Sequence, residues 1–289
     1  MKKVAAYDLD PSNGGLIKYT QVHTDPFLGA VPIRSMGSVA EFFVGKMLDG
    51  EPDAIVLDLP GNPINHFGKG MTKEEMITMF YASAAFNFMP VPVYPVTQGT
   101  LSTDSLQGAL ASFPEGPFGV CLNERGVSFR SLEKNEGFSS YSPLAERVRL
   151  LDGQEFRLPG FQGDTMKHAI DNLMMPFEVG FPVSADGRLL ERAEMHDEIS
   201  EWLLAQGSST ADVRVVSFTQ RAFLKEVLPQ LDIFINYVDL KMAQIGAKPV
   251  FMPYSDKGGE GKSLLIRLLQ VYLRRYWANG IRYMNQPLA

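Results

Sequence analysis

The chain has 289 residues, 45% of them apolar, 21% charged and 11% aromatic, a globular composition long enough to bury a sizeable core. Its one cysteine, Cys121, excludes an internal disulfide and any thiolate cluster for zinc or iron–sulfur chemistry, and points to a reducing cytoplasm. The net charge of −6 argues against a wholly basic nucleic-acid binder, and no stretch approaches the ~20 apolar residues of a membrane span, so a soluble protein is expected.

In chain order, an apolar run at residues 4–9 predicts a buried strand, helical spacing follows at 39–48, and a second strand is expected at 54–59. A helix at 73–85 leads to a strand at 91–96, and a helix at 103–113 leads to a strand at 118–122. Residues 124–163, rich in Gly, Ser and charge, show no dependable periodicity. Helices are expected at 165–173 and 189–205, the stretch QGSSTA at 206–211 reads as a linker, and the β-branched run at 213–218 reads as a strand. A helix over 222–242 contains Pro229 and is expected to kink or break there, with its apolar residues in the core. A strand at 249–252 and a helix at 263–277 complete the series. Alternating strands and helices imply one α/β domain, a mostly parallel sheet flanked by helices.

The stretch KPVFMPYSDKGGEGKSLLIRLLQVYLRRYW joins a strand to a helix through a glycine-rich turn. That context suits a phosphate loop, because an anion needs backbone N–H groups at a helix N-terminus and glycines let the backbone come close. Gly258, Gly259, Glu260, Gly261, Lys262, Ser263 and Leu264 are therefore the expected nucleotide-binding residues. Lys262 would reach the β- and γ-phosphates, and Ser263 would give its hydroxyl to Mg²⁺. Asp256 stands where the usual first glycine of such a loop would be, and Lys257 follows it.

Two further stretches carry carboxylates at strand ends. In DAIVLDLPGN, Asp58 closes a buried strand, where a carboxylate is costly without a partner and a hydrated Mg²⁺ supplies one. In VAAYDLDPSNGG, Asp8 sits at the strand end with Asp10 beyond it in turn-forming sequence. The histidines, His23, His66, His168 and His196, have no metal-ligand spacing, and Cys121 reads as a small core residue. Arg267, Arg274, Arg275 and Arg282 read as a solvated face.

KGGEGKS resembles the deviant phosphate loop, KGGxGK[ST], of the ParA/MinD family of ATPases. VAAYDLDPSNGG resembles that family's switch I and DAIVLDLPGN its switch II, with Pro60 and Gly61 forming the turn that senses the γ-phosphate. VPVYPVT and GPFGVCLNERG resemble its next two strands, which nominates Asn123 as an adenine contact. The resemblance implies ATP and Mg²⁺ as cofactors, Asp8 and Asp58 near the metal, Asp10 placing the attacking water, and Lys257 crossing to the partner subunit's nucleotide in an ATP-dependent homodimer.

The motifs nevertheless run switch I, switch II, adenine strand, phosphate loop, with the loop last instead of first. The chain therefore resembles a circularly permuted member, with 1–125 carrying the switches and adenine strands, 126–211 peripheral elements, and 212–289 the phosphate loop and its helix. Reading from Gly280 directly to Lys2 gives a family-like junction. The implied duty is plasmid or chromosome partition or a related positioning task, with a partner protein stimulating hydrolysis and non-specific DNA as a possible ligand. Two alternatives stay open: a small-molecule kinase or ligase of the dethiobiotin synthetase-like class, and a nucleotide-binding adaptor without turnover.

Overall fold

The computed structural model describes residues 2–8, 52–59, 87–97, 106–108, 116–124, 143–160, 163–254 and 261–283, together with Asp104 and Leu110. Strands β1 (Val4–Asp8), β2 (Ala54–Asp58), β3 (Phe88–Val96), β4 (Gly119–Asn123), β5 (Gln154–Leu158) and β6 (Lys248–Pro253) form one sheet in the order β1-β2-β6-β3-β4-β5. Every pairing is parallel. The last strand in the chain thus lies inside the sheet, between β2 and β3.

Five helices are described: α1 (Pro143–Leu150), α2 (Asp164–Asp171), α3 (Arg192–Ala205), α4 (Thr210–Ile245) and α5 (Lys262–Arg275). Side chains alternate across a strand, so register decides what each helix meets. Ala6, Ala54, Val56, Phe251, Val91, Val93, Cys121, Phe156 and Leu158 belong to the same buried cluster as the inward residues of α4 and α5. The intervening residues Ile55, Leu57, Val250, Met252 and Val120 are equally buried. Burial on both faces explains why the strands read as continuous apolar runs, as parallel sheets require.

Helix α4 lies across β5 and β6, with Phe234 stacked on Phe156 (ring centroids 4.6 Å apart) and edge-on to Phe251. Gly119 lacks a side chain at the place where the Phe234 ring packs; a Cβ there would lie 2.6 Å from that ring. Helix α5 runs beside α4 against β1 and β2. The seam between them is polar at defined points: the buried Tyr272 hydroxyl donates to the buried Asp232, and Trp277 Nε1 donates to Asp239 Oδ1 (2.9 Å). Arg282 also pairs with Asp239. After α5 the chain makes a short 3₁₀ turn, Trp277–Asn279, and there the Lys2 N–H donates to the Ala278 carbonyl (2.9 Å). The Lys2 ammonium stands 3.9 Å from the centre of the Trp277 ring.

Several sequence expectations change. Residues 213–218 are not a strand but the opening turns of α4. Buried Val213, Val216, Gln220, Phe223, Leu224 and Val227 follow one helical stripe, whereas Phe218 is 74% exposed, which a buried strand would not allow. Ser209 starts this helix through a capping box: its hydroxyl accepts from the Asp212 N–H, and Asp212 accepts from the Ser209 N–H. The QGSSTA linker shrinks accordingly, since Thr210 and Ala211 are helical.

Pro229 sits inside this 36-residue helix without ending it, because packing on both sides of the proline outweighs the lost N–H. Residues 124–163, without dependable periodicity in the sequence, hold α1 and β5; both are too short to give a periodic signal. Of the helix expected at 103–113, Asp104, Leu106, Gln107, Gly108 and Leu110 are helical. The helices expected at 39–48 and 73–85 lie outside the described residues.

Candidate functional site

In a parallel sheet all strands end on the same edge. The ladder sets Asp8 beside Asp58, and β6 stops at Pro253 level with the end of β2, so β1, β2 and β6 deliver their last residues together. Such an edge, at a point where chain order and strand order diverge, is where open α/β sheets bind ligands.

Asp58 follows Ala54 and Val56 on the face covered by α5, and it is 1% exposed. Its Oδ1 lies 3.0 Å from Lys262 Nζ, in the first turn of α5. The contact is an ion pair whose angles fall outside those of a hydrogen bond. A buried carboxylate thus meets a nearly buried ammonium from the far end of the chain.

Helix α5 begins at Gly261, which adopts the left-handed conformation (φ 86°, ψ 14°) and places no side-chain cap on the helix. The opening amides of α5 therefore face the strand edge with the positive end of the helix dipole behind them. The Gly261 carbonyl accepts the first backbone bond of the helix from Leu265 (3.0 Å). Ser263 and Leu264 are half-buried in the same turn. Arg267, one turn on, donates through Nε to the Ser263 carbonyl (3.1 Å) and lays its guanidinium 5.7 Å from the centre of the Phe177 ring.

Asn123 ends β4 and is 4% exposed. Its carboxamide packs against the Gly261 α-carbon, with Leu158 of β5 on the same side. Beside it, the Glu124 N–H donates to the Leu158 carbonyl (2.9 Å), and Arg157 pairs with Glu124 (3.1 Å).

The structure therefore brings together Asp58, Gly261, Lys262, Ser263, Leu264 and Asn123, with the Asp8 backbone alongside Asp58. Asp10, Pro60, Gly61, Lys257, Gly258, Gly259 and Glu260 lie outside the described residues. Sequence reasoning missed two partners of the α5 start. Arg267 lies four residues after Ser263, a spacing that places both on one helix face; the Asn123–Gly261 contact joins residues with no local link and left no signal.

Among the described residues no group of three or more His, Cys, Asp or Glu side chains gathers to hold a metal. One buried carboxylate and one hydroxyl in a neighbouring helix turn do fit Mg²⁺, which keeps several waters and takes its remaining ligands from substrate phosphates. Cys121 is fully buried and burial pushes its thiol up, so it is no nucleophile. His196 bonds Ser217 across α3 and α4 (2.8 Å), and His168 bonds Asn172 (2.9 Å); both are structural contacts.

No family model, curated protein or solved structure matches the chain. Its class is that of an α/β protein with a parallel six-stranded sheet flanked by helices, compatible with a phosphate-loop nucleotide fold. No described helix is long and apolar enough to cross a membrane.

Proposed function

We propose that the chain is a Mg²⁺-dependent ATPase that binds ATP at the start of α5 and switches between monomer and nucleotide-sandwich dimer, as the resemblance to ParA/MinD ATPases implies. The observation that carries this reading is the 3.0 Å pairing of Lys262 with Asp58 at the carboxyl edge of the sheet. It joins the two residues that phosphate-loop chemistry needs together, although they stand near opposite ends of the sequence. The first turn of α5, whose N-cap Gly261 has no side chain to cap it, supports the same reading.

Without nucleotide, Lys262 is engaged by Asp58. A triphosphate offers the ammonium more negative charge, so binding draws Lys262 off the carboxylate and onto the β- and γ-oxygens. Asp58 and Ser263 would then hold Mg²⁺, whose charge neutralises that developing on the transferred phosphoryl group. Asp10 orients the attacking water, and Lys257 reaches the nucleotide of the partner protomer.

The permuted order belongs to the same proposal. Counted from β6 as the first strand, the sheet reads second, third, first, fourth, fifth, sixth, with the phosphate-loop strand central. The hydrogen bond from Lys2 to Ala278 supports the short junction that such an order needs between the α5 end and β1. The duty suggested by the resemblance is partition or positioning of a cargo.

The test couples turnover to mass. Size exclusion with light scattering, run with Mg²⁺ alone, Mg-ADP and a non-hydrolysable Mg-ATP analogue, should show a dimer with the analogue only. Lys257→Ala should abolish that dimer, and Lys262→Ala should abolish phosphate release. A monomer throughout, with turnover unchanged in both variants, refutes the proposal. Substrate-stimulated ADP release by a monomer would mark a kinase or ligase instead, and tight binding without hydrolysis an adaptor.

A further inference from the structure

We propose that Asn123 is a positioning residue for the phosphate loop, its buried carboxamide filling the space beside Gly261 and so fixing how the loop enters α5. The inference rests on the nucleotide-binding reading above and changes the role that the resemblance gives this residue.

Gly261 is constrained twice. Its φ of 86° is one that side-chain-bearing residues rarely adopt. Independently, a Cβ at this position would collide with Asn123 Nδ2, come within 3.2 Å of Asn123 Cγ and stand 3.9 Å from Leu158 Cδ2. Asn123 therefore takes the volume that any other residue at 261 would need.

The carboxamide is held from a rigid base. Asn123 pairs in register with Leu158, and the next residue, Glu124, is tied to β5 through both its N–H and its carboxylate. The Gly261 carbonyl in turn accepts the first backbone bond of α5. A side chain on β4 thus reaches past the end of β3 to the hinge between loop and helix. That hinge sets the direction of the amides that would face a phosphate. A group packed on the loop glycine acts at the phosphate end of a nucleotide, not at its base.

The two roles separate with three probes. Calorimetry would measure binding of a non-hydrolysable ATP analogue, its guanine counterpart and inorganic tripolyphosphate, each with Mg²⁺, to the full chain, to Asn123→Ala, to Gly261→Ala and to the double variant. Positioning predicts that Asn123→Ala weakens all three ligands about tenfold and leaves the adenine-to-guanine preference unchanged. It also predicts that Gly261→Ala costs less affinity in the Asn123→Ala background than alone, because the collision is gone and only the φ penalty stays.

Loss of ATP-analogue affinity with tripolyphosphate unaffected would overturn the proposal in favour of a base contact. So would unchanged binding of all three ligands, or additive losses in the double variant. Should Asn123→Ala melt below the assay temperature, Asn123→Ser is read by the same criteria. A wild-type chain that binds none of the three probes removes the nucleotide reading itself, and the positioning role with it.

Discussion

Replacing Lys262 by methionine keeps the side-chain length and removes one charge of its ion pair with Asp58, whose residue is 1% exposed. Removing one partner of a buried ion pair costs roughly 3–5 kcal/mol, because the other charge stays desolvated. Lys262 retains 12% exposure and its geometry is off that of a hydrogen bond, so the lower figure, about 3 kcal/mol, is the appropriate one. The double variant Lys262→Met/Asp58→Asn carries no charge at this pair and should recover to within about 1 kcal/mol of wild type. Urea unfolding of the four proteins at neutral pH, with ligand-free protein, measures the cycle. A Lys262→Met cost below about 1 kcal/mol, or a double variant no better than the single, would show that the pair does not face a desolvated site.

The same pair makes a ligand-side prediction: Asp58→Asn frees Lys262, so this variant should bind an ATP analogue in EDTA more tightly than wild type while losing the gain that Mg²⁺ gives. Gly119→Ala forces a methyl to within 2.6 Å of the Phe234 ring and should destabilise by about 2 kcal/mol, with Phe234→Leu restoring part of it, read from urea midpoints. Hydrogen bonds from Ser209 hold the Asp212 carboxyl below its ordinary value of 3.8. This contribution is present above 3.8 and is lost as pH falls through the lower folded value, so the Tm gap between wild type and Asp212→Asn should shrink from about pH 6 to about pH 3. Cys121 should resist a thiol reagent in the native protein and react fully in denaturant; fast native labelling would contradict its burial.

What the sequence revealed follows from how each feature is encoded. β1, β2, β4 and β6 were legible because parallel strands buried on both faces are uniformly apolar, and turn residues punctuate them. The positions of Asp58 and Lys262, at a strand end and at the start of a helix, were legible because a local pattern marks each, whereas their pairing in space left no local trace. The strand expected at 213–218 failed because β-branched residues are common to both periods, and only the capping box at Ser209 and the continuing stripe through Phe223 decide for helix. β5 was illegible for the opposite reason: five residues with three polar side chains half-buried give too little contrast. The contact of Asn123 with Gly261 joins the end of β4 to the start of α5, which no spacing in the chain records.

The most direct measurement is calorimetric binding of a non-hydrolysable ATP analogue to the full chain, with and without Mg²⁺, beside Lys262→Ala. The phosphate-site account predicts one nucleotide per chain, tighter with Mg²⁺, and at least a hundredfold loss in the variant. No binding to the wild-type chain, or binding of equal strength in Lys262→Ala, would contradict it.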